Sequence, residues 1–286
     1  MEVLVVGGTR FFGIHLVNQL LKDGHKVTIA TRGKAKDNFG SCVERILLDR
    51  TNANSIRVAL SEKKFDVVYD EIAYCSNEIK YMLDIINCDK YIYMSSMSIY
   101  ETLQNNMVEE NFDPFKNELI WCDRTEFDYA TSKRQAELAI WQVYHDRKAI
   151  AVRYPYVIGA DDYTKRLLFY VEHTLQGIPM NIDNMNCQMG FIRSDEAGKF
   201  LAFLADQEFT GPINGCSEGT ISIREILDYL EKKTGKRAMI SEQGEEAPYN
   251  ETPEYSINTE KANHLGFQFS DIKSWIYELL DQLCVQ

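Results

Sequence analysis

The run Val3-Leu-Val-Val-Gly-Gly-Thr-Arg-Phe-Phe-Gly13 constrains the fold more than any other stretch of the chain. Val3 to Val6 read as a short, fully buried strand, and a helical pattern starts at Phe11 or Phe12. Gly7, Gly8 and Gly13 bound the turn between them, with Thr9, Arg10, Phe11 and Phe12 inside it. Strand, glycine turn and helix, in that order, form the setting that a dinucleotide fingerprint needs. Without a Cβ, Gly7 permits a sharp turn, Gly8 permits backbone to approach a pyrophosphate, and Gly13 permits the helix to sit close to the strand. The helix N-terminus then offers free N–H groups to the phosphates. Arg10 stands where a middle glycine is common. Gly-Gly also marks ordinary turns, but here it directly follows an apolar run at the start of the chain.

The rest of the first half repeats this alternation. Helical patterns are expected over Phe12 to Lys22, Ser55 to Lys63, Asn77 to Ile86 and Tyr129 to Tyr144. Strands are expected over Lys26 to Thr31, Val43 to Leu48, Phe65 to Tyr69, Lys90 to Ser95 and Ala149 to Arg153. Such a chain predicts an α/β fold with a Rossmann-like, doubly wound parallel sheet and right-handed crossovers. Residues 101–128 break the rhythm. They are acidic and polar, and a loop that long is read either as a lid or as a surface insertion.

After Pro155 the pattern is mixed. Arg166 to Leu175 reads as a helix, Met189 to Arg193 as a strand, and Asp195 to Ala205 as a helix. Ser222-Ile-Arg-Glu225 is a capping box. Ile272, Trp275, Ile276, Leu279 and Leu283 form one apolar face of a last helix. The expected division is a dinucleotide-binding domain of residues 1–155 plus about 188–206. A smaller C-terminal substrate lobe takes about 156–187 and 207–286.

Charge and composition exclude some functions. A net charge of −12 over 286 residues argues against a nucleic-acid or anionic-membrane surface. No apolar run approaches a membrane span, and a strand starting at residue 2 leaves no place for a signal peptide. The seven cysteines are scattered without a C-x-x-C, which predicts free thiols in a reducing cytoplasm. The five histidines show no ligand spacing, so no metal is expected.

The end of the second strand usually carries an acid for the adenosine ribose 2′-hydroxyl. Here it carries Thr31 and Arg32, with Lys34 just beyond. Guanidinium groups bind a 2′-phosphate with charge-assisted bonds, and a carboxylate would repel it. Arg10 in the glycine turn points the same way, so NADP(H) is preferred, with NAD(H) as the second choice. Asp49, ending the third strand, is placed to accept from the adenine amine or simply to form a turn.

Tyr129-Ala-Thr-Ser-Lys133 puts a tyrosine and a lysine on one helix face. The Lys133 ammonium, together with an oxidised nicotinamide, would lower the phenol from its usual value of about 10. Tyr129 would then serve as general acid or base beside a hydride transfer. The same spacing recurs at Tyr144/Lys148 and Tyr229/Lys233. Only Tyr129 opens its helix and follows a strand ending in hydroxyls, Ser95-Ser96-Met97-Ser98.

Taken together, these stretches resemble the extended short-chain dehydrogenase/reductase superfamily, specifically its NAD-dependent epimerase/dehydratase group. The glycine turn resembles GGxGxxG, and MSSMSIYE resembles S-S-x-x-V-Y-G, with Ser96 four residues before Tyr100. YATSK resembles the active-site motif, and Arg153-Tyr-Pro-Tyr-Val-Ile-Gly159 resembles R-x-x-N-V-Y-G. Phe191-Ile-Arg-Ser-Asp195 resembles F-I-H-V-D, and EKANHLGF a late K-x-x-x-L-G-F. The resemblance implies Ser96 orienting a substrate oxygen, Tyr129 transferring the proton and Lys133 supporting both. Ala73 and Tyr154, past the fourth and sixth strands, complete the cofactor-contacting set. It also implies a small-molecule substrate, a nucleotide sugar by family expectation, and a homodimer built on the YxxxK helix, with Trp141 and Tyr144 serving that face or the core.

The departures are specific. GGTRFFG looks more like an atypical subgroup that includes chloroplast stem-loop RNA-binding proteins. Tyr156 replaces a phosphate-contacting Asn, Met189 stands where a phosphate-binding Arg is usual, and Arg193 replaces a His. Met97-Ser98 stands in place of the Asp-Glu of 4,6-dehydratases, which disfavours that elimination. Lys165 and Arg166 are alternative phosphate ligands or plain solvated charges. The expected function is an NADP(H)-dependent epimerase or reductase acting on a hydroxyl or ketone of a sugar-like substrate. The rivals are an RNA-binding protein on the same fold and a non-catalytic NADP(H)-sensing regulator.

Overall fold

A computed structural model describes residues 1–285. In β1 (Glu2–Val6), Val3 and Val5 face one side of a sheet and Leu4 and Val6 the other, and all four are fully buried. A strand buried on both faces belongs inside a parallel sheet covered by helices. The chain continues through α1 (Phe12–Lys22), β2 (Lys26–Thr31), β3 (Glu44–Leu47), α2 (Ala53–Leu60), β4 (Lys64–Asp70), α3 (Ser76–Leu83), β5 (Asn87–Met94), α4 (Tyr129–Leu138) and β6 (Ala149–Arg153). It goes on to β7 (Tyr156–Ile158), α5 (Arg166–Gln176), β8 (Met180–Asn181), β9 (Phe191–Arg193), α6 (Ser194–Leu204) and β10 (Gly211–Asn214). Seven strands form an all-parallel sheet in the order β10-β6-β5-β4-β1-β2-β3. The chain runs outward from β1 to β3, then crosses back to β4 on the other side of β1. A crevice opens at the carboxyl ends of β1 and β4, at this reversal.

α1 and α6 cover one face. They pack closely because residue 198 is glycine: a Cβ there would lie 2.5 Å from the His15 Cβ. α2, α3 and α4 cover the other face. α4 ends earlier than its apolar pattern suggests, passing into a π-helical turn over Ala139–Val143.

Two strands differ from the sequence expectation. Residues 189–193 do not rejoin the large sheet. Pro155 interrupts the chain after β6, and β9 pairs with β7 in a separate two-stranded ladder. The seventh strand is β10, within a segment assigned to the C-terminal lobe. Its sequence, Gly-Pro-Ile-Asn, carries weak strand formers, and Pro212 is tolerated because β10 is an edge strand.

A separate core fills the C-terminal part, where α5 packs with α7 (Ile223–Thr234) and α9 (Ile276–Leu283) around Tyr170, Leu227, Leu230 and Leu280. The short α8 (Glu260–Leu265) lies between these last two along the chain. The capping box is present: the Ser222 Oγ accepts the Glu225 N–H at 3.2 Å, and a Glu225 carboxylate oxygen accepts the Ser222 N–H at 3.0 Å.

Residues 101–128 contain only short 3₁₀ turns at Glu109–Asn111 and Pro114–Lys116, yet side chains and backbone of the fold grip them. Arg153 donates to the Glu109 carbonyl at 2.7 Å, and Glu109 in turn accepts the Asn214 N–H at 2.7 Å. The Ile120 N–H donates to Gln135 at 2.7 Å and the Cys122 N–H to Ser76 at 2.8 Å. The Met107 N–H reaches the Ser256 carbonyl at 2.9 Å. Arg153 is itself fully buried against Glu137 on α4.

Candidate active site

Tyr129 is the first residue of α4. Asp128 caps it, accepting the Thr131 N–H at 2.8 Å. One turn on, Lys133 is buried, and its Nζ donates to the carbonyls of Ala73 at 2.8 Å and Met94 at 2.6 Å. The ammonium lies among aromatic rings, 4.8 Å from the centroid of Tyr93, 5.1 Å from Tyr74 and 5.8 Å from Tyr129. Burial pulls Lys133 down to about 7, with Asp70 and Glu78 opposing.

Ser96 follows β5, its Oγ accepting the Ser98 N–H at 3.1 Å. Tyr129 keeps 47% of its surface open to solvent, but the atoms packed around its hydroxyl desolvate a phenolate. That burial pushes it up to about 12, and Ser96 is the group that opposes the rise most. Burial of the hydroxyl is the dominant effect on Tyr129 in this arrangement; the lowering expected from Lys133 is one shared with a bound oxidised nicotinamide.

Across the crevice, Gly7 and Gly8 adopt φ of +120° and +77°. A Cβ on Gly8 would lie 2.9 Å from both Val5 and Val17, so this glycine serves packing as well as approach. The Gly8 N–H donates to the Glu71 carboxylate at 2.6 Å. Phe11 is buried at φ 52°, an uncommon conformation for a non-glycine residue, with its ring 6.0 Å from that of Tyr163. Thr9 is part-buried, and Phe12 stands edge-on to Tyr154.

The remaining expected cofactor residues divide. Ala73 is buried and serves through its backbone, holding Lys133. Asp49 accepts from the Thr51 N–H and hydroxyl at 3.0 and 2.7 Å, which makes it a turn-former and holds it below the usual carboxylate range; the Arg32 charge adds to that lowering. Arg32 is exposed at the end of β2, whereas Arg10 lies over the Tyr163 ring at 5.9 Å, so the two cations have separate neighbours. Tyr154 belongs to the core: its hydroxyl donates to the Ala197 carbonyl at 2.7 Å. Trp141 and Tyr144 also face inward, donating to Glu137 and Asp84. Arg166 is no solvated helix charge, since it is part-buried over the Tyr156 ring at 5.1 Å. Arg193 pairs with Asp195. Sequence reasoning missed Glu71, Tyr74 and Tyr163, whose partners lie far away along the chain.

The family model for NAD dependent epimerases and dehydratases matches residues 3–214, which include the glycine turn, Ser96, Tyr129 and Lys133. The chain belongs to that family. Its members are NAD(P)-dependent enzymes of epimerase type. Solved structures share the fold. A UDP-glucuronic acid 4-epimerase from Bacillus cereus in complex with UDP-glucuronic acid and NAD has a TM-score of 0.74 at 19% identity, covering 99% of this chain and 100% of that one. A UDP-glucose 4-epimerase from Thermus thermophilus in complex with NAD has a TM-score of 0.70 at 18% identity, covering 99% of each chain. The chloroplast stem-loop binding protein of 41 kDa b of Arabidopsis thaliana is 26% identical over 226 residues, 72% of this chain. The present chain spans only 56% of that protein's length. Among the described residues, no cluster of His, Cys, Asp or Glu is placed to hold a metal, and no helix is long and apolar enough to cross a membrane.

Proposed function

We propose that the protein is an NAD(P)-dependent epimerase or reductase acting on a hydroxyl or ketone of a sugar-like substrate, with nucleotide sugars as the first class to test. The observation that supports this reading is that Tyr129 neighbours Ser96 and its ring centroid stands 5.8 Å from the Lys133 ammonium, which is held at the carboxyl end of β5. The residues fit a dinucleotide. Positive-φ glycines precede a helix at the reversal of the sheet, and Lys133, held by two backbone carbonyls, is the group we assign to the nicotinamide ribose. A bound nicotinamide would supply the hydride acceptor or donor. In reduction Tyr129, as the neutral phenol, gives its proton to the substrate oxygen; in oxidation it acts as the phenolate, a form that the positive charge of Lys133 and of a bound oxidised nicotinamide would favour, while Ser96 orients the substrate oxygen and Lys133 positions the ribose. Arg166, close to Tyr129, is a candidate for a substrate phosphate. Arg32 inclines the adenosine end toward NADP(H). The seven free thiols fit a reducing compartment such as the cytoplasm. The test is turnover with NADPH and NADH across nucleotide sugars and free sugars; cofactor binding with no reduction or epimerisation of any of them would favour a sensing role.

A second reading, RNA binding, is favoured by the name of the Arabidopsis relative. The net charge of −12 weighs against it. Binding to stem-loop RNA is expected to be weak at physiological salt; submicromolar affinity that survives added salt would replace the enzymatic reading.

A further inference from the structure

Glu71 takes no part in the chemistry above, yet it touches the glycine turn directly. It follows Asp70 at the end of β4, on the opposite wall of the crevice. Its Oε2 accepts the Gly8 N–H at 2.6 Å. The carboxyl fills the space that side chains at residues 7 and 13 would need, since a Cβ on Gly7 or Gly13 would lie 2.8 or 2.5 Å from that same oxygen. Its Oε1 is buried and, among the described residues, has no hydrogen-bond partner. A carboxylate with a single backbone donor and one orphan oxygen is poorly compensated for lost water.

Among the described residues, the surroundings offer no neutralising cation. Beside it, Asp70 is held by Arg50, by the Tyr91 hydroxyl at 2.8 Å and by the Ala73 N–H at 3.1 Å. Tyr69 and Tyr154 give their hydroxyls to the carbonyls of Leu201 and Ala197. On the turn and α1, Arg10 lies over Tyr163 and His15 pairs with Asp161 at 3.0 Å. Arg193 at the end of β9 and Lys199 on α6 pair with Asp195, and Glu196 on α6 accepts from Ser217 and the Ser270 N–H. Burial pushes Glu71 up to about 8, with the Gly8 N–H opposing and the Asp70 charge adding to the rise.

We propose that Glu71 is a charge gate on the glycine turn: the protein takes up a dinucleotide pyrophosphate with Glu71 protonated and resists it with Glu71 ionised. This rests on the cofactor reading above. Two negative phosphates arriving at the turn disfavour a second anion lodged against it. Binding is then coupled to proton uptake, and affinity falls as pH rises through the range where Glu71 ionises.

The test is calorimetric titration of the full chain with NAD⁺ between pH 6.5 and 9.5, in buffers of different ionisation enthalpy, with adenosine as a phosphate-free probe. Wild-type protein should take up a proton near pH 8 and lose about tenfold in affinity for each unit by which binding raises the Glu71 pKa. Glu71→Gln retains an acceptor for the Gly8 N–H and should bind NAD⁺ with only the pH dependence that Lys133 gives both proteins; adenosine binding should show no Glu71-dependent change with pH. Lys133 titrates in both proteins and cancels in the difference. Equal pH slopes in the two proteins, or no Glu71-dependent proton uptake by the wild type, would overturn the gate. Binding by Glu71→Gln alone, with none by the wild type even at pH 6.5, would overturn the gate, since Glu71 would then block in both protonation states, and would leave the cofactor reading standing. No binding by either protein at any pH would remove both.

Discussion

Helices α4 and α7 each carry a tyrosine with a lysine four residues on, and the two pairs do different work. On α7, the Tyr229 hydroxyl and the Lys233 Nζ both donate to one carboxylate, Asp281, at 2.8 and 2.7 Å on the protein surface. That bond raises the Tyr229 phenol above its ordinary value. On α4, Lys133 is 2% exposed and held by two carbonyls, and among the described residues no carboxylate accepts from the Tyr129 hydroxyl. Tyr144 again meets an acid, donating to Asp84 at 2.6 Å. Four-residue spacing brings the two side chains together. What that face looks onto, an acid or the end of a parallel sheet, decides whether the hydroxyl stays available for chemistry.

The sharpest way to break this contrast is at the hydroxyls. Tyr129→Phe keeps the ring and is expected to lower turnover by about 10²–10⁴-fold while leaving cofactor affinity near normal. Tyr229→Phe and Tyr144→Phe should stay active. Full activity of Tyr129→Phe on a true substrate would end the assignment.

The lysines come next. Lys133→Met should weaken cofactor binding by about 10–100-fold, the worth of a hydrogen bond from a charged group, and should lower turnover as well. The same variant carries a pH signature. Lys133 titrates at about 7 when folded and at about 10.4 when unfolded. Between these values the unfolded chain holds the extra proton, so the Lys133 contribution to stability should climb as pH rises from about 7 toward 10, with Glu71 acting the opposite way up to about pH 8. Denaturant midpoints should show that climb in the wild type and lack it in Lys133→Met.

Arg32→Ala should cost NADPH about fivefold in affinity and NADH almost nothing, since an exposed charge contact is worth up to about 1 kcal/mol. Equal weakening of both would make Arg32 a support for the turn. Smallest of all, Lys233→Met should leave turnover, cofactor binding and the denaturant midpoint within error.

What could be read from the chain follows from how local the signal is. β1, β2 and β6 are compact apolar runs and α1 has a clear apolar stripe, so their bounds are visible in sequence. β10 is hidden because its residues suit an edge strand and little else. The glycine turn and the Ser96/Tyr129/Lys133 set could be named because each sits beside a strand end. Glu71 could not, because its meaning comes from Gly8, 63 residues earlier. Tyr154 misled for the opposite reason: its place after β6 suggested the crevice, while its ring turns into the core between Phe12 and Phe200.

The gripped segment of residues 101–128 has a consequence for how the protein meets proteases and heavy water. The N–H groups of Met107, Ile120 and Cys122 end on buried or half-buried partners contributed by the C-terminal lobe, α4 and α3. The amides of Met107, Ile120 and Cys122 should therefore exchange late, in step with β6, although no helix or strand contains them. Nicking beside Met107 or Cys122, which are fully buried, should require opening of the molecule rather than a passing fluctuation. A ligand approaching past Tyr74 and Arg124, whose guanidinium stacks 4.4 Å from the Tyr74 ring, meets a wall already set before it arrives.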